Sequence, residues 1–343
     1  MNTPTTFNAQ WLMNQEFDPL KYVVPGLIPE GLSILASTPK IGKSWMVLGL
    51  ALGISTGAEA FGTIPLGPRR PVRYFALEDG ARRLQSRLRS LGASDLSHML
   101  EFTTQIPQGE VIKSIRDYVT NYAGLDPVVI LDTLGRVMPP AGNSNAYSHD
   151  YATLSALKSI VDEVPGSSLL IVHHTRKSGG EDFLDAVSGT QGIAGAADTV
   201  LVLKRNRHDQ TATLQVTSRD AAEGEYALSL DERGRWTLDG ASLEESADAA
   251  RLQRVTAGVS DRMADVISAI ERFPEGIRPR ELATITGMGN DELGKYLRRA
   301  DDSGRVTKLS RGLYAPVRSV RVSETDIPFG HSDDSDTRLE VVA

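Results

Sequence analysis

Residues 37–44 read Ser-Thr-Pro-Lys-Ile-Gly-Lys-Ser, directly after a short apolar run and at the start of a helical pattern. The last three of them, Gly42, Lys43 and Ser44, match the second half of the phosphate-loop pattern G-x-x-x-x-G-K-[ST]. Ser37 stands where that pattern has its first glycine, at an expected tight turn that serine adopts less easily than glycine. Because a strand before the loop and a helix after it are what the pattern requires, the stretch predicts a nucleotide-binding α/β core.

The roles of the loop follow from the chemistry of phosphate binding. Backbone N–H groups and the positive end of the helix are expected to point at the phosphates. Lys43 is expected to reach the β- and γ-phosphates, and Ser44 to ligate Mg²⁺. ATP and Mg²⁺ are therefore the predicted cofactors. The predicted nucleotide contacts are Ser37, Thr38, Pro39, Lys40, Ile41, Gly42, Lys43, Ser44 and Trp45.

Short β-branched runs alternate with longer helical patterns through the first two thirds of the chain. The runs lie at 32–36, 72–77, 128–131, 169–172 and 199–203, and the helical patterns at 43–56, 80–91, 111–122 and 151–164. This alternation predicts an α/β fold with a mostly parallel central sheet covered on both faces. Runs at 212–217 and 226–230 predict an antiparallel extension at the sheet edge, and residues 20–28 a lead-in beside the nucleotide.

Composition limits the class of protein. The 343 residues include no cysteine, which excludes disulfides and thiolate metal sites. No signal peptide and no apolar run long enough to span a bilayer is present, so we expect a cytoplasmic protein without membrane contact. The net charge is −7. Residues 262–318 nevertheless carry eleven Lys/Arg against eight Asp/Glu, and residues 319–343 carry two against six.

The chain is predicted to contain two domains. An ATPase domain at 1–238 is followed by a linker or exposed helix at 239–260. Residues 261–318 show three helices and a hairpin, which predicts a winged helix. An acidic, disordered tail is predicted at 319–343.

Two carboxylates end predicted strands. Asp132 follows 128–131, where it suits the Mg²⁺ role of a Walker B aspartate, the alternative being a simple helix cap. Glu78 directly follows the run at 72–77, at the end of that predicted strand, and could orient the attacking water as a general base. Asp79 is the competing residue for that role, or a cap of the helix that begins near residue 80.

Five motifs in this order resemble those of the RecA-like ATPases, and most closely the plasmid- and phage-encoded RepA-type hexameric replicative helicases. The resemblance covers about residues 20–238. The motifs are PKIGKSW (39–45), FALEDGARRL (75–84), VILDTLGR (129–136), VHHTRK (172–177) and GTQGIAGAAD (189–198).

The resemblance implies an ATPase ring, normally a hexamer, with the site at a subunit interface. It implies that Glu78 is the catalytic glutamate, Asp132 the Walker B residue and His174 a sensor of the γ-phosphate. From the residues alone, a structural role for His174 stays open, and metal binding is not expected. An arginine finger is expected at Arg219, with Arg205 and Arg207 as alternatives.

Contacts with DNA are expected from two regions. The resemblance implies that loops at 179–182 and 188–191 line a channel for single-stranded DNA, with Gln191 as a switch; plain surface loops are the alternative. A recognition helix at 290–300 and a wing are expected to contact duplex phosphates, although winged helices also bind proteins. Their candidate contacts are Lys295, Tyr296, Arg298, Arg299, Arg305, Lys308 and Arg311.

The function predicted is that of an ATP-dependent DNA motor, a hexameric replicative helicase of plasmid or phage type. The alternative is an ATP-gated initiator, helicase loader or recombination mediator without unwinding activity.

Overall fold

The structure, a computed structural model, describes residues 6–94, 96–136, 146–175, 195–206 and 209–317. The chain divides into two compact units, Met1–Arg254 and Val255–Ala343. Among the described residues, none of the helices combines the length and apolar character needed to cross a membrane. The predicted DNA loops with Gln191, the alternative finger Arg207 and the predicted tail lie outside the described residues.

The first unit is an α/β structure. Its described strands are β1 (Tyr22–Val24), β2 (Ile28–Pro29), β3 (Gly31–Ser37), β4 (Glu59–Ala60), β5 (Ile64–Pro65), β6 (Val72–Ala76), β7 (Leu100–Thr103), β8 (Val128–Asp132), β9 (Ser168–His174), β10 (Thr199–Lys204), β11 (Thr211–Ser218), β12 (Gly224–Leu230) and β13 (Trp236–Leu238). Its described α-helices are α1 (Ala9–Met13), α2 (Lys43–Thr56), α3 (Ala81–Ser90), α4 (Val111–Asn121), α5 (Ala146–Asp162) and α6 (Leu243–Thr256), with 3₁₀ turns at Gln108–Glu110 and Leu134–Arg136.

Nine of these strands form one large sheet in the order β13-β12-β11-β10-β3-β9-β8-β6-β7, while β1 with β2 and β4 with β5 form two-stranded sheets. The six strands from β10 to β7 are parallel, and β11, β12 and β13 add antiparallel neighbours beyond β10. The predicted α/β P-loop fold with a mostly parallel central sheet is confirmed, including the antiparallel extension. The edge strands β7 and β13 were not predicted.

Helices cover both faces of this sheet. Ile130 in β8 packs in one core cluster with residues of α2, whereas the next residue, Leu131, packs in a second cluster with residues of α4 and α5. Successive side chains of a strand point to opposite faces, so a strand buried on both faces is apolar at most of its positions. This is why the parallel strands read as continuous apolar runs.

The register brings four strand ends to one edge of the sheet. Ser37 at the end of β3 is paired with His174 at the end of β9. Asp132 at the end of β8 is paired with Ala76 of β6 on one side and Val172 of β9 on the other. We call this the carboxyl edge, formed by the ends of β3, β6, β8 and β9. Ligands of open α/β sheets bind outside such an edge.

The lead-in at residues 20–28 lies at the opposite edge, so the prediction that it sits beside the nucleotide is wrong. Its hairpin of β1 and β2 leads directly into the start of β3, a strand of seven residues whose other end lies at the carboxyl edge. Arg70 holds it there: its guanidinium donates to the carbonyl oxygens of Tyr22 at 3.0 Å, Asp126 at 2.6 Å and Gly166 at 2.7 Å. Three chain segments are thereby joined by one buried cation.

Replacing Arg70 with alanine is expected to lower the free energy of unfolding of the first unit by about 3 kcal/mol, because three buried carbonyl groups lose a charged donor. Urea denaturation measures the change. Arg69→Ala is the matched control, since Arg69 donates at the exposed surface to Thr56 O at 3.1 Å, and it is expected to cost less than about 1 kcal/mol. Equal costs for the two variants would contradict the role given to Arg70.

Residues 239–260, expected as a linker or an exposed helix, contain α6. This helix is not simply exposed, because Ser246 and Ala250 are buried. Their small side chains permit a close approach, and Ser246 Oγ donates to the carbonyl oxygen of Ala227 in β12 at 2.7 Å.

The second unit contains three helices and a hairpin among its described residues. These are α7 (Asp261–Glu271), α8 (Pro279–Thr286), α9 (Asn290–Asp302), β14 (Val306–Ser310) and β15 (Leu313–Pro316). The helix α8 starts at Pro279, whose fixed φ suits a first helical position, and ends before Gly287, which has a φ of 66°. The helix α9 begins at Asn290, as the recognition helix predicted at 290–300 does, and its N-cap residue is Gly289.

Candidate nucleotide site

The loop between β3 and α2 makes its two unusual turns at Lys40 and Gly42. Their φ angles are 67° and 105°, in the left-handed region that favours glycine. Ser37 is the last residue of β3 and is not among the residues with positive φ. The expected demand for glycine at position 37 is therefore wrong. The demand lies at Gly42, where a Cβ would also be 2.9 Å from Cζ2 of Trp236.

Lys43 is folded into the loop. Its residue is only 5% exposed. Its Nζ donates to Ser37 Oγ at 2.7 Å, to Ser37 O at 2.8 Å and to Thr38 O at 3.1 Å, and lies 3.1 Å from His174 Nδ1. The serine that replaces the first glycine of the motif thus supplies two of the acceptors that hold the ammonium group.

Burial lowers the pKa of Lys43 to about 8, and the negative charges of Asp132 and Glu78 offset only part of this effect. A buried ammonium group without a carboxylate in hydrogen-bond contact is costly, so an anion that enters the loop would favour the charged form. The loop is therefore suited to bind phosphate groups.

Nucleotide affinity is expected to fall as pH rises through about 8, because the free protein loses the Lys43 proton there while the bound phosphates need the charged form. The loss approaches about tenfold per pH unit above that value. Titration calorimetry with a non-hydrolysable ATP analogue between pH 7 and 9.5 measures it. Lys43→Arg is the control, since a guanidinium does not deprotonate in this range. An equal pH dependence in both proteins would contradict Lys43 as the group responsible.

Asp132 and Ser44 form the second part of the site. Asp132 is buried, and its Oδ2 accepts a hydrogen bond from the hydroxyl of Tyr74 at 2.9 Å. Burial raises the pKa of Asp132, although hydrogen bonds from Tyr74 and Ser44 counteract the rise. Its contacts with these side chains argue against a plain capping role. The peptide bond that joins Asp132 to Thr133 is cis.

These two residues fit Mg²⁺. A hydroxyl and a carboxylate are hard oxygen ligands, and Mg²⁺ is usually held by one or two protein oxygens together with phosphates and waters. No group of three or more His, Asp or Glu that could hold a metal exists among the described residues. The arrangement thus suits a cation shared with a phosphate ligand better than one held by protein alone.

His174 stands between Lys43 and Glu78. A charged lysine can only donate, so a hydrogen bond from Lys43 to His174 uses the tautomer in which Nδ1 accepts and the Nε2 proton faces Glu78. Nε2 lies 3.7 Å from Oε2 of Glu78. The side chains of His174 and Glu78 are 40% and 41% exposed, so water reaches both. The carboxyl edge therefore places a buried lysine, a histidine and a solvent-accessible carboxylate next to one another.

Asp79, the competing candidate for the general base, has a different environment. Its carboxylate is buried and accepts hydrogen bonds from the guanidinium groups of Arg83, at 2.8 Å, and Arg87. Its negative charge is therefore balanced by two guanidinium groups, which makes it a poorer candidate than Glu78 for proton transfer. Nor does it cap α3, whose N-cap residue is Gly80 without a side-chain cap.

The two described candidates for the arginine finger, Arg219 and Arg205, lie at opposite edges of the sheet, one near the start and one near the end of β10. Arg219 follows β11 next to the start of β10, where its backbone N–H donates to Asp198 O. This is the edge opposite to the loop. Arg205 follows the end of β10, with its Cζ 5.9 Å from the centroid of the Trp236 ring. The structure of one chain brings neither beside Lys43, and the choice of Arg219 stays a prediction.

Two residues at the site were missed by the sequence analysis. Tyr74 holds Asp132, and a hydroxyl-bearing side chain in a strand expected to be buried was an available signal, since buried hydroxyls need partners. Trp236 donates from Nε1 to the carbonyl oxygen of Gly42 at 3.1 Å. Its position 194 residues away in sequence offered no local signal.

Residues 3–180 match the model of a protein family described as AAA domain. No curated protein sequence matches the chain. Solved structures that resemble it include one described as an ATPase domain, with 14% identity, a TM-score of 0.49 and coverage of 62% of this chain and 85% of the other. Another is a DnaB-like replicative helicase described with its interactions with primase, with 14% identity, a TM-score of 0.48 and coverage of 60% of this chain and 57% of the other.

Proposed function

We propose, from the premise that the chain belongs to the AAA domain family, that it is an ATP- and Mg²⁺-dependent motor acting on DNA. The specific proposal is a hexameric replicative helicase of plasmid or phage type that hydrolyses ATP at subunit interfaces. The observation that carries it is the contiguous arrangement of Lys43, His174 and Glu78 at the carboxyl edge. A phosphate-binding cation, a polar relay and a carboxylate open to water are the parts that ATP hydrolysis needs.

Each of these residues has a defined task in the proposal. Lys43 leaves its acceptors in the loop and binds the β- and γ-phosphates. Glu78 orients the attacking water and accepts its proton. His174, in contact with both, reports the presence of the γ-phosphate. Ser44 and Asp132 would hold Mg²⁺, which supplies charge neutralisation of the phosphates when bound.

The site is proposed to be completed by a second copy of the chain. Arg219 is the proposed finger, with Arg205 as the alternative. An arginine that stabilises transition-state charge is worth roughly 10³–10⁵ in turnover. Mixing wild-type chains with chains that carry Arg219→Ala or Arg205→Ala separates the two, because only loss of the true finger poisons the neighbouring wild-type site.

DNA contact is proposed for the second unit, as a winged helix on duplex, and for the loops at 179–182 and 188–191, on single strands. The support for the second unit is the exposure of Lys295, Arg298 and Lys308 on α9 and β14, since exposed cations on a helix and a hairpin suit phosphates. These exposed cations on a compact second unit also favour the second candidate function, an ATP-gated initiator, loader or mediator that binds duplex DNA without unwinding it.

The test combines three measurements on the full chain: ATP turnover with and without single-stranded DNA, strand displacement, and native mass with and without an ATP analogue. The helicase proposal expects DNA-stimulated turnover, unwinding and a nucleotide-dependent hexamer. Duplex binding with ATP turnover but no unwinding would support the initiator or loader instead. Absence of ATP turnover under all conditions would refute both.

A further inference from the structure

Asp79, the residue after Glu78, and its two arginine partners have no task in the proposed mechanism. The side chain of Asp79 is 6% exposed and pairs with two arginines of α3. These partners differ: the side chain of Arg83 is 62% exposed, whereas that of Arg87 is 17% exposed. An exposed ion pair contributes little, whereas removal of one partner from a buried pair leaves an uncompensated charge.

Arg87 also contacts the helix that follows the phosphate loop. Its Cζ lies 5.4 Å from the ring centroid of Trp45, within the range of a cation–π interaction. The indole cannot shift toward the turn before β13, because even a Cβ on Gly234 would be 2.2 Å from Cε3 of Trp45. Trp45 is the residue directly after Ser44, so Arg87 touches the helix at the end that would hold nucleotide and Mg²⁺.

The helix α3 attaches to the core through Leu84 and the partly buried Leu88. Leu84 is its one buried residue. The turn at 77–80, which carries Glu78, is held by Leu77, whose side chain packs against the core and whose backbone N–H donates to Asp132 O, and by the ion pairs that Asp79 makes.

We propose that Arg87 is a positioning residue, which fixes Glu78 relative to the phosphate-loop helix through Asp79 on one side and Trp45 on the other. The inference rests on the proposed function, because Glu78 is the general base only if the chain hydrolyses ATP. Since a misplacement of about 1 Å can cost roughly 100-fold in rate, a tie between the two halves of the site has a direct effect on turnover.

The experiment compares Arg87→Ala with Arg83→Ala in the full chain. Both variants remove a guanidinium from Asp79, but only the first removes the contact with Trp45. Arg87→Ala is expected to lower kcat about tenfold or more and to change the Kd of a non-hydrolysable ATP analogue less than about threefold. Arg83→Ala is expected to change both less than about threefold. Arg87→Lys keeps the charge but not the planar stacking, so its kcat should lie between those of Arg87→Ala and the wild type.

Equal losses of kcat in Arg87→Ala and Arg83→Ala, or a loss of affinity without a loss of kcat, would overturn the inference. Hydrogen exchange gives a second readout that needs no turnover: amides at 77–80 should exchange faster in Arg87→Ala than in Arg83→Ala. If the wild-type chain does not hydrolyse ATP, the proposed function fails, and hydrogen exchange alone then decides whether Arg87 holds this turn. Unchanged hydrogen exchange at 77–80 in Arg87→Ala would overturn the inference that Arg87 holds this turn.

Discussion

Substitution of Glu78 by glutamine is expected to lower ATP turnover about 100-fold or more, because general acid–base catalysis contributes roughly 10²–10⁴-fold. Glutamine has nearly the same shape but cannot accept the proton of the attacking water. Nucleotide affinity should change less than about threefold, since the loss lies in a transition-state interaction rather than in ground-state binding. The four Nζ contacts of Lys43 do not involve Glu78 and remain intact.

Single-turnover hydrolysis and analogue binding measure the two effects separately. Glu163→Gln is the matched control: Glu163 is a surface carboxylate with a 58% exposed side chain, paired with Arg116 away from the site. It should behave as wild type in both measurements. If Glu78→Gln hydrolyses ATP at the wild-type rate, Glu78 is not the base. Wild-type turnover in Glu78→Gln together with a loss in Asp79→Asn would transfer the role to the buried carboxylate.

The core of the fold was predictable because its signals are local. The apolar runs became β3, β6, β8, β9 and β10, and the helix predicted at 43–56 is α2, Lys43–Thr56. A parallel strand buried on both faces is mostly apolar, so its sequence differs visibly from the helices around it.

The edges of the sheet were less predictable for a physical reason. All four residues of β7, Leu100–Thr103, are only partly buried, and β13 has three residues with Thr237 exposed between two buried ones. An edge strand needs only one apolar face and few residues, so little distinguishes it from a loop. The position of the lead-in hairpin was mispredicted for a similar reason, since it depends on contacts with Arg70 that no local pattern encodes.

The residues of the site also differ in how far local sequence signals predict their positions. Ser37, Asp132 and His174 each end a buried strand, and parallel strands in one sheet present their ends at one edge. Their proximity thus follows from the strand pattern. The contacts of Trp236 with Gly42 and of Arg87 with Trp45 depend on how side chains pack between elements distant in sequence, which the strand pattern does not contain. They decide how the loop is held, but sequence motifs do not include them.

Removal of the Lys43 ammonium group is expected to weaken nucleotide binding strongly without destabilising the unliganded protein through the loss of charge. Lys43→Ala should weaken ATP binding more than about 100-fold, because it loses at least two hydrogen bonds to phosphate charges, each worth about 1.5–3 kcal/mol. The unliganded protein should not be destabilised by the loss of charge itself, since burial already disfavours the charged form of Lys43 and lowers its pKa to about 8.

Thermal unfolding with and without the ATP analogue measures both effects in one assay. The wild type should gain stability on addition of nucleotide, and Lys43→Ala should not, because a ligand stabilises only the protein that binds it. Lys40→Ala is the informative comparison, since Lys40 is an exposed lysine in the same loop. Its loss of affinity should be at least about tenfold smaller, because a solvated charge contributes less than a desolvated one. Equal losses for Lys40→Ala and Lys43→Ala would mean that the loop attracts nucleotide by its net charge alone, and the buried position of Lys43 would then have no part in phosphate recognition.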